Sequence, residues 1–181
     1  MKQIYAYLEP DACTGCLTCE LACEARTPSS EAILNAMCQD PEPPTRIYVE
    51  AGWDKKNHII PIPIFCHHCE DAPCMTVCPV DAIKRNQEFN VVSLDSDLCI
   101  GCRECLMACP FGALSTDSKG KMVKCDLCLS RLEDDLLPAC VESCPQEVLK
   151  YIDEEEYSEA VKHNHVEQIM ESMRYVRNRS P

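Results

Sequence analysis

Cysteine spacing constrains the fold of this chain more than any other feature of its sequence. The chain has 181 residues and 17 cysteines, and sixteen of these form four quartets, each ending in two cysteines separated by three residues. Quartets one and three have the spacing C-x2-C-x2-C-x3-C, and a proline follows the last cysteine of quartets two, three and four. In chain order, quartets one to four are Cys13, Cys16, Cys19, Cys23; Cys66, Cys69, Cys74, Cys78; Cys99, Cys102, Cys105, Cys109; and Cys125, Cys128, Cys140, Cys144.

Bulky side chains are too few to stabilise a chain of this size by apolar packing alone. The sequence has three Phe, one Trp and six Tyr. Small proteins with such cores use disulfides or metals, and the free energy of metal binding then becomes free energy of folding. The start MKQIYAYLEPD has neither a secretory signal nor a twin-arginine signal. We therefore expect a cytoplasmic chain whose thiols bind metal rather than form disulfides.

The spacing favours iron–sulfur clusters over zinc. Thiolates prefer iron–sulfur clusters, zinc or copper(I). Three cysteines in C-x2-C-x2-C wrap one cluster, and the fourth, which precedes proline, binds the neighbouring cluster. Structural zinc is the alternative, because C-x2-C pairs also form zinc ribbons, but zinc explains neither the displaced fourth cysteine nor the Cys-Pro pairs. Four [4Fe–4S] clusters are therefore predicted.

The same crossover rule predicts which cysteines share a cluster. The sets are Cys13, Cys16, Cys19 and Cys144 for cluster 1; Cys66, Cys69, Cys74 and Cys109 for cluster 2; Cys99, Cys102, Cys105 and Cys78 for cluster 3; and Cys125, Cys128, Cys140 and Cys23 for cluster 4.

Charge and hydropathy exclude several function classes. The formal net charge of -13 is unsuited to binding nucleic acid, whose phosphates require a basic surface. An acidic surface suits a basic face on a protein partner or serves solubility alone. The longest apolar stretch, residues 59–66, is too short to cross a bilayer, so direct membrane insertion is not expected. Since no nucleophile–base pair or phosphate loop is recognisable, we expect no catalytic residues.

A repeated unit organises the chain into an α+β fold. One pattern recurs in residues 71–83, 103–114 and 141–149: a cysteine, three residues, Cys-Pro and then a small apolar segment. Each copy predicts a loop that leads into a short strand. We predict tandem two-cluster ferredoxin-like modules, one inserted in the other: an inner module at 60–115, and an outer module at 1–59 and 116–150 with a proline-rich insert at 24–59. Hairpins are predicted at 82–94 and from 46–50 with 58–64.

A helical extension is predicted for residues 151–181. Asp153 and Glu156 form a capping-box pattern at its start. Apolar or aromatic residues then recur every three or four positions, which predicts a helix of about 25 residues and 37 Å. This helix packs on another subunit, folds back on its own domain or frays. Its predicted face is Tyr157, Val161, His165, Ile169, Met173 and Val176.

Single residues near the quartets carry further expectations. Gly15 and Gly101 each precede the second cysteine of a quartet and predict positive φ. His67 and His68 either donate hydrogen bonds to cluster sulfur or serve local packing. Cys38 has no cysteine partner and is expected to be a small buried or semi-exposed residue.

Residues 1–150, with all four quartets in order and residues 66–83 (CHHCEDAPCMTVCPVDAI) in particular, resemble a known family. These are the four-cluster iron–sulfur subunits of molybdenum or tungsten oxidoreductases, of the formate dehydrogenase, dimethyl sulfoxide reductase and formate hydrogenlyase types. The resemblance implies a non-catalytic subunit that conducts electrons between a formate dehydrogenase-type subunit and a second redox partner, which is a hydrogenase or a second iron–sulfur subunit.

Other partners and one other class of function stay open. An aldehyde oxidoreductase or a carbon monoxide dehydrogenase is an alternative catalytic partner. A redox-active scaffold that polymerises into a filament through its C-terminal helix is a functional alternative.

Overall fold

The computed structural model describes residues 2–5, 13–26, 29–39, 43–53 and 55–177. Within these ranges the chain forms short strands and helices in an α+β arrangement. The elements in chain order are β1 (Lys2–Tyr5), α1 (Thr18–Ala25), α2 (Ser30–Met37), β2 (Tyr48–Trp53), β3 (Ile59–Ile64), α3 (Pro73–Thr76), β4 (Ile83–Arg85), β5 (Val92–Leu94), α4 (Glu104–Ala108), β6 (Leu114–Thr116), β7 (Met122–Lys124), α5 (Leu129–Glu133), α6 (Ala139–Glu142), β8 (Lys150–Asp153) and α7 (Glu154–Arg177).

The described strands form four antiparallel pairs, β1–β8, β2–β3, β4–β5 and β6–β7. Both predicted hairpins are confirmed. The hairpin at 82–94 is β4–β5, with Ile83 opposite Leu94. The hairpin of the insert is β2–β3, with Tyr48 opposite Ile64.

Prolines in β3 explain how the insert hairpin attaches to the rest of the chain. Pro61 and Pro63 share one side of the ladder, opposite Ala51 and Val49. Because proline has no N–H, these positions suit the sites where a two-stranded pair makes no hydrogen bond. The N–H of Val49 is therefore available outside the ladder, and it donates to Glu20 Oε1 on α1 at 2.6 Å.

The predicted loop-to-strand repeat is confirmed three times. Helix α3 precedes β4, α4 precedes β6 and α6 precedes β8, each with Cys-Pro between helix and strand. Proline ends each helical turn because it cannot continue the helix. Each repeat therefore places its last cysteine at a helix end.

Pairing of β1 with β8 joins the two ends of the cysteine-bearing region. Lys2 lies opposite Asp153 and Tyr5 opposite Lys150. This pairing was not predicted, since the two strands are far apart along the chain.

Cysteines make up much of the core. One buried cluster combines Cys19, Cys23 and Cys140 with apolar side chains from 47 to 149, including Phe65 at 2% exposure. A second combines Cys74, Cys99 and Cys105 with Val92 and other residues between 72 and 122. The first contains thiols of quartets one and four, and the second contains thiols of quartets two and three.

Helix α7 begins with the predicted capping box. The N–H of Asp153 donates to Glu156 Oε2 (3.1 Å), and the N–H of Glu156 donates to Asp153 Oδ1 (2.9 Å). Along the predicted apolar face, Val161 is 42% and Ile169 is 44% exposed, whereas the side chains of Met173 and Val176 lie outside the described residues. Among the described helices, none has the length and apolar character needed to span a membrane.

Candidate metal centres

Three cavities are each lined by four cysteines, and each set mixes two quartets. The first is lined by Cys13, Cys16 and Cys19 together with Cys144. The second is lined by Cys66, Cys69, Cys74 and Cys109, and the third by Cys99, Cys102, Cys105 and Cys78. Their volumes are similar, about 370, 350 and 270 Å³ including space open to solvent. In each cavity, the first three cysteines of one quartet therefore lie beside the last cysteine of another quartet. These are the sets that the crossover rule predicts.

The remaining set, Cys23, Cys125, Cys128 and Cys140, lies deeper. Cys23, Cys128 and Cys140 are each 6% exposed. Burial raises the pKa of the Cys140 thiol well above its usual value, and the nearby Cys125, Cys23 and Cys128 raise it further. These four thiols therefore lie close enough to interact electrostatically.

Burial shapes the electrostatics of the other sets as well. It raises the pKa of the Cys19 thiol to about 12 and that of the Cys105 thiol to about 11. A thiolate is unfavourable at such a site unless a positive charge accompanies it. Metal provides that charge, since metal binding releases the thiol proton. Within the described ranges, no three or more His, Cys, Asp or Glu side chains are grouped to hold a single metal ion; the quartets line cavities instead.

Backbone amides orient the sulfur atoms. The N–H groups of Arg46 and Ala82 donate to Cys23 Sγ and Cys78 Sγ, both at 3.3 Å. Hydrogen bonds to ligand sulfur fix its position and favour its negative charge. Further amide–sulfur pairs are His68 to Cys66 and Leu127 to Cys125 (both 3.4 Å) and Met122 to Cys99 (3.5 Å).

Positive φ angles bend the loops of quartets one and three in the same way. Gly15 has φ 67° and Gly101 has φ 70°, as predicted. The residues after the second cysteine, Leu17 (φ 61°) and Arg103 (φ 67°), also adopt the left-handed conformation. Positive φ at this second pair was not predicted, because neither residue type favours it.

The two histidines of quartet two have different environments. The His67 ring packs against Phe65 and Phe111, with centroids 5.1 and 4.2 Å away, so its contacts are local packing. His68 lines the second cavity and is 3% exposed. Its Nδ1 accepts the N–H of Val92 at 3.1 Å, and its buried Nε2 has no hydrogen-bond partner among the residues that the structure describes. Burial lowers the pKa of His68 to about 3, so the ring is neutral and Nε2 carries the proton. An unpartnered donor at a thiol-lined cavity fits a sulfur-bearing group there.

Two ionic features of the site were not predicted. Arg26, which ends α1, donates two hydrogen bonds to Asp126, at 2.8 and 2.6 Å, and so joins α1 to quartet four. Lys124, before Cys125, is 3% exposed and donates to Cys66 Sγ at 3.2 Å. A lysine beside a cysteine is no signal on its own, because most lysines are exposed.

Comparison with known proteins agrees with this geometry. Residues 57–154 match the family model described as a 4Fe-4S dicluster domain. One chain of the anaerobic dimethyl sulfoxide reductase of Escherichia coli (strain K12) is 39% identical over 155 residues, which cover 80% of the present chain and 71% of that protein. One subunit of the sulfite dehydrogenase of Allochromatium vinosum is 33% identical over 159 residues, covering 80% and 66%. An iron-sulfur protein from Rhodospirillum rubrum is 30% identical over an alignment of 194 residues, covering 97% and 96%. The chain therefore belongs to the 4Fe-4S dicluster domain family of iron–sulfur electron-transfer proteins.

Proposed function

We propose that this chain is a non-catalytic electron-transfer subunit that holds four [4Fe–4S] clusters. The observation that carries the proposal is the mixing of quartets, in which three cysteines line a cavity with the last cysteine of another quartet. Structural zinc gives no reason for this exchange, whereas paired clusters do. The proposed ligands are Cys13, Cys16, Cys19 and Cys144; Cys66, Cys69, Cys74 and Cys109; Cys99, Cys102, Cys105 and Cys78; and Cys125, Cys128, Cys140 and Cys23.

The residues around the thiols suit this role. When bound, each cluster would supply a one-electron redox centre whose potential depends on burial, charge and hydrogen bonds to sulfur. The chain contributes buried thiols, amide donors to sulfur and the neutral His68 at the second cavity. Apolar side chains such as Phe65 and Val92 pack in the same buried clusters as the thiols and exclude water from them.

The contacts support an outer module and an inner module. We assign residues 1–59 and 116–150 to the outer module, with the insert at 24–59, residues 60–115 to the inner module, and 151–181 to the helical extension. The pairing of β1 with β8 favours this division because it brings the start of the outer module beside Lys150, where that module ends. Two separate buried clusters also favour this division. One contains thiols of quartets one and four, and the other contains thiols of quartets two and three.

Contacts between the cysteine sets favour one spatial order of the clusters, 1–4–2–3. Clusters 1 and 4 share α1, which carries both Cys19 and Cys23. Clusters 4 and 2 adjoin at Lys124, which precedes Cys125 and contacts Cys66. Clusters 2 and 3 exchange their last cysteines. Exposed thiols stand at both ends of this order, Cys16 at cluster 1 and Cys102 at cluster 3, which suits electron exchange with a partner at each end.

We propose a formate dehydrogenase-type catalytic subunit, of the molybdenum or tungsten class, as one partner and a hydrogenase or second iron–sulfur subunit as the other. The resemblance of residues 66–83 favours this pair, and the relatives favour a catalytic oxidoreductase subunit in general, since two of them are subunits of a dimethyl sulfoxide reductase and a sulfite dehydrogenase. An aldehyde oxidoreductase or a carbon monoxide dehydrogenase is the alternative. The cytoplasm is the proposed location, because cysteines that bind metal rather than form disulfides suit a reducing compartment.

Anaerobic purification with copurifying proteins tests the proposal. We expect about sixteen iron and sixteen sulfide per chain, and bleaching of the visible absorbance when formate is added to the copurified complex. Cys102→Ala is expected to lose or convert one cluster and keep three. Zinc with little sulfide would refute the proposal. Bleaching by another substrate but not by formate would refute the formate dehydrogenase-type partner and identify the catalytic subunit by that substrate instead.

A scaffold role is the second candidate, and exposed apolar residues on α7 favour it. Val166 is 57% and Met170 is 50% exposed. If a second copy covers this face, deleting residues 153–181 reduces the mass of the assembly, and Val166→Lys does the same without removing the helix. An unchanged mass in anaerobic light scattering for both variants would exclude the scaffold role.

A further inference from the structure

Lys124 is a buried cation at the junction of two quartets. It ends β7 and is 3% exposed. Its ammonium donates to three acceptors: the carbonyl oxygen of Val92, the carbonyl oxygen of Cys125 at 3.0 Å and Cys66 Sγ at 3.2 Å. These three bonds use the full donor capacity of an ammonium and hold it in one position.

Burying this charge is unfavourable unless a negative charge accompanies it. The hydrogen bonds of Lys124 go to two neutral carbonyls and to the sulfur of Cys66. Among these, only the sulfur acquires negative charge, as a thiolate that binds metal. The position of the ammonium is therefore matched to an anionic group in the second cavity, which Cys66 and Lys124 both line.

We propose that Lys124 is a positioning residue that raises the reduction potential of the cluster bound by Cys66, Cys69, Cys74 and Cys109. This inference rests on the proposed function. Uptake of one electron adds one negative charge to the group in the cavity. A fixed positive charge within hydrogen-bond distance of a ligand sulfur stabilises the reduced form more than the oxidised form.

The charged hydrogen bond reaches a ligand sulfur of that cavity, whereas the neighbouring Cys125 accepts from Lys124 only through its carbonyl oxygen. Thiols of the other sets receive hydrogen bonds from neutral donors: the amides of Arg46, Ala82 and Met122 and the hydroxyl of Thr18. A full charge at the second cavity therefore distinguishes cluster 2 from cluster 3, with which it exchanges its last cysteine. Of these two clusters, cluster 2 is then the first to be reduced.

An EPR-monitored redox titration of the complete, cluster-loaded chain tests this. Lys124→Gln removes the charge and keeps a hydrogen-bond donor, Lys124→Arg keeps both, and Lys119→Gln removes a lysine from the exposed tip of the same hairpin. For Lys124→Gln we expect the ratio of reduced to oxidised cluster at a fixed potential to fall at least tenfold for one cluster, which is 59 mV for one electron. We expect less than a threefold change for the Arg and Lys119 variants.

The cluster that shifts must be the one altered by Cys69→Ala. The proposal is overturned if no cluster shifts tenfold, if all four shift equally, if Lys119→Gln has the same effect, or if Lys124→Gln loses iron, which would make the role structural. The iron and sulfide content of the unsubstituted chain distinguishes a failure of the proposed function from a failure of the role of Lys124. Fewer than four clusters would refute the proposed function, whereas four clusters with unmoved potentials would refute only the role of Lys124.

Discussion

Replacing Gly101 by alanine tests how tightly the loop of quartet three is built. Gly101 has φ +70°, and an added Cβ would lie 2.5 Å from the carbonyl oxygen of Gly120. The left-handed conformation costs alanine about 1–2 kcal/mol. Relief of the contact requires movement of backbone rather than of a side chain, which adds about 1–3 kcal/mol.

Gly112→Ala is the matched control, because Gly112 has φ +62° and, among the described residues other than its chain neighbours, none has a heavy atom within 4 Å of the added Cβ. The control has the conformational cost without the clash, and the change in unfolded-chain entropy is the same for both variants. The difference between them is therefore the clash alone, about 1–3 kcal/mol. For a chain of this length that lowers Tm by roughly 2–12 °C.

Anaerobic thermal unfolding, followed by the loss of visible absorbance, measures this difference. Iron per chain is measured alongside, and we expect Gly101→Ala to lose the iron of one cluster first, since Gly101 lies between Cys99 and Cys102. Equal Tm and equal iron content in the two variants would refute the argument that this loop approaches the carbonyl of Gly120 closely.

Three further predictions concern other elements. Asp126→Asn leaves the half-buried Arg26 without its anionic partner, and we expect a loss of about 1–3 kcal/mol, measured as faster iron release to a chelator than in the unsubstituted chain. Asp153→Ala removes half of the capping box and is expected to destabilise α7 by about 0.5–2 kcal/mol; hydrogen exchange should accelerate in its first turns, but not in the exposed control Glu159→Ala. Cys38→Ser changes a thiol outside the quartets that is exposed rather than buried or semi-exposed as expected, so the iron content should stay unchanged, and a loss of iron would contradict the ligand sets.

Local patterns were sufficient wherever a short segment determines its own structure. The hairpin β4–β5 follows from two β-prone runs around a polar tip, and the capping box follows from Asp153 and Glu156 alone. Positive φ at Gly15 and Gly101 follows from the lack of a Cβ. Each of these depends on residues that are close along the chain, so spacing and residue type contain the information.

Features that depend on distant residues could not be predicted in this way. Strand β1 pairs with β8, and Arg26 pairs with Asp126 one hundred positions later. Nothing near Lys124 indicates that its ammonium is buried against Cys66, because that contact spans 58 positions. Leu17 and Arg103 adopt positive φ although their residue types disfavour it, since the loop geometry of the quartet outweighs the local preference.

The chemistry of this protein follows from its amino-acid sequence alone: sixteen thiols lie in four quartets, with spacing that predicts which cysteines share a site. This is so because the ligand loops are short and the donor type is unambiguous. The surroundings of those thiols follow only from the folded chain, namely which thiols are buried, which amides reach their sulfur atoms and where Lys124 and His68 lie. Burial and electrostatics are sums over residues from the whole chain, so they exist only once the chain has folded.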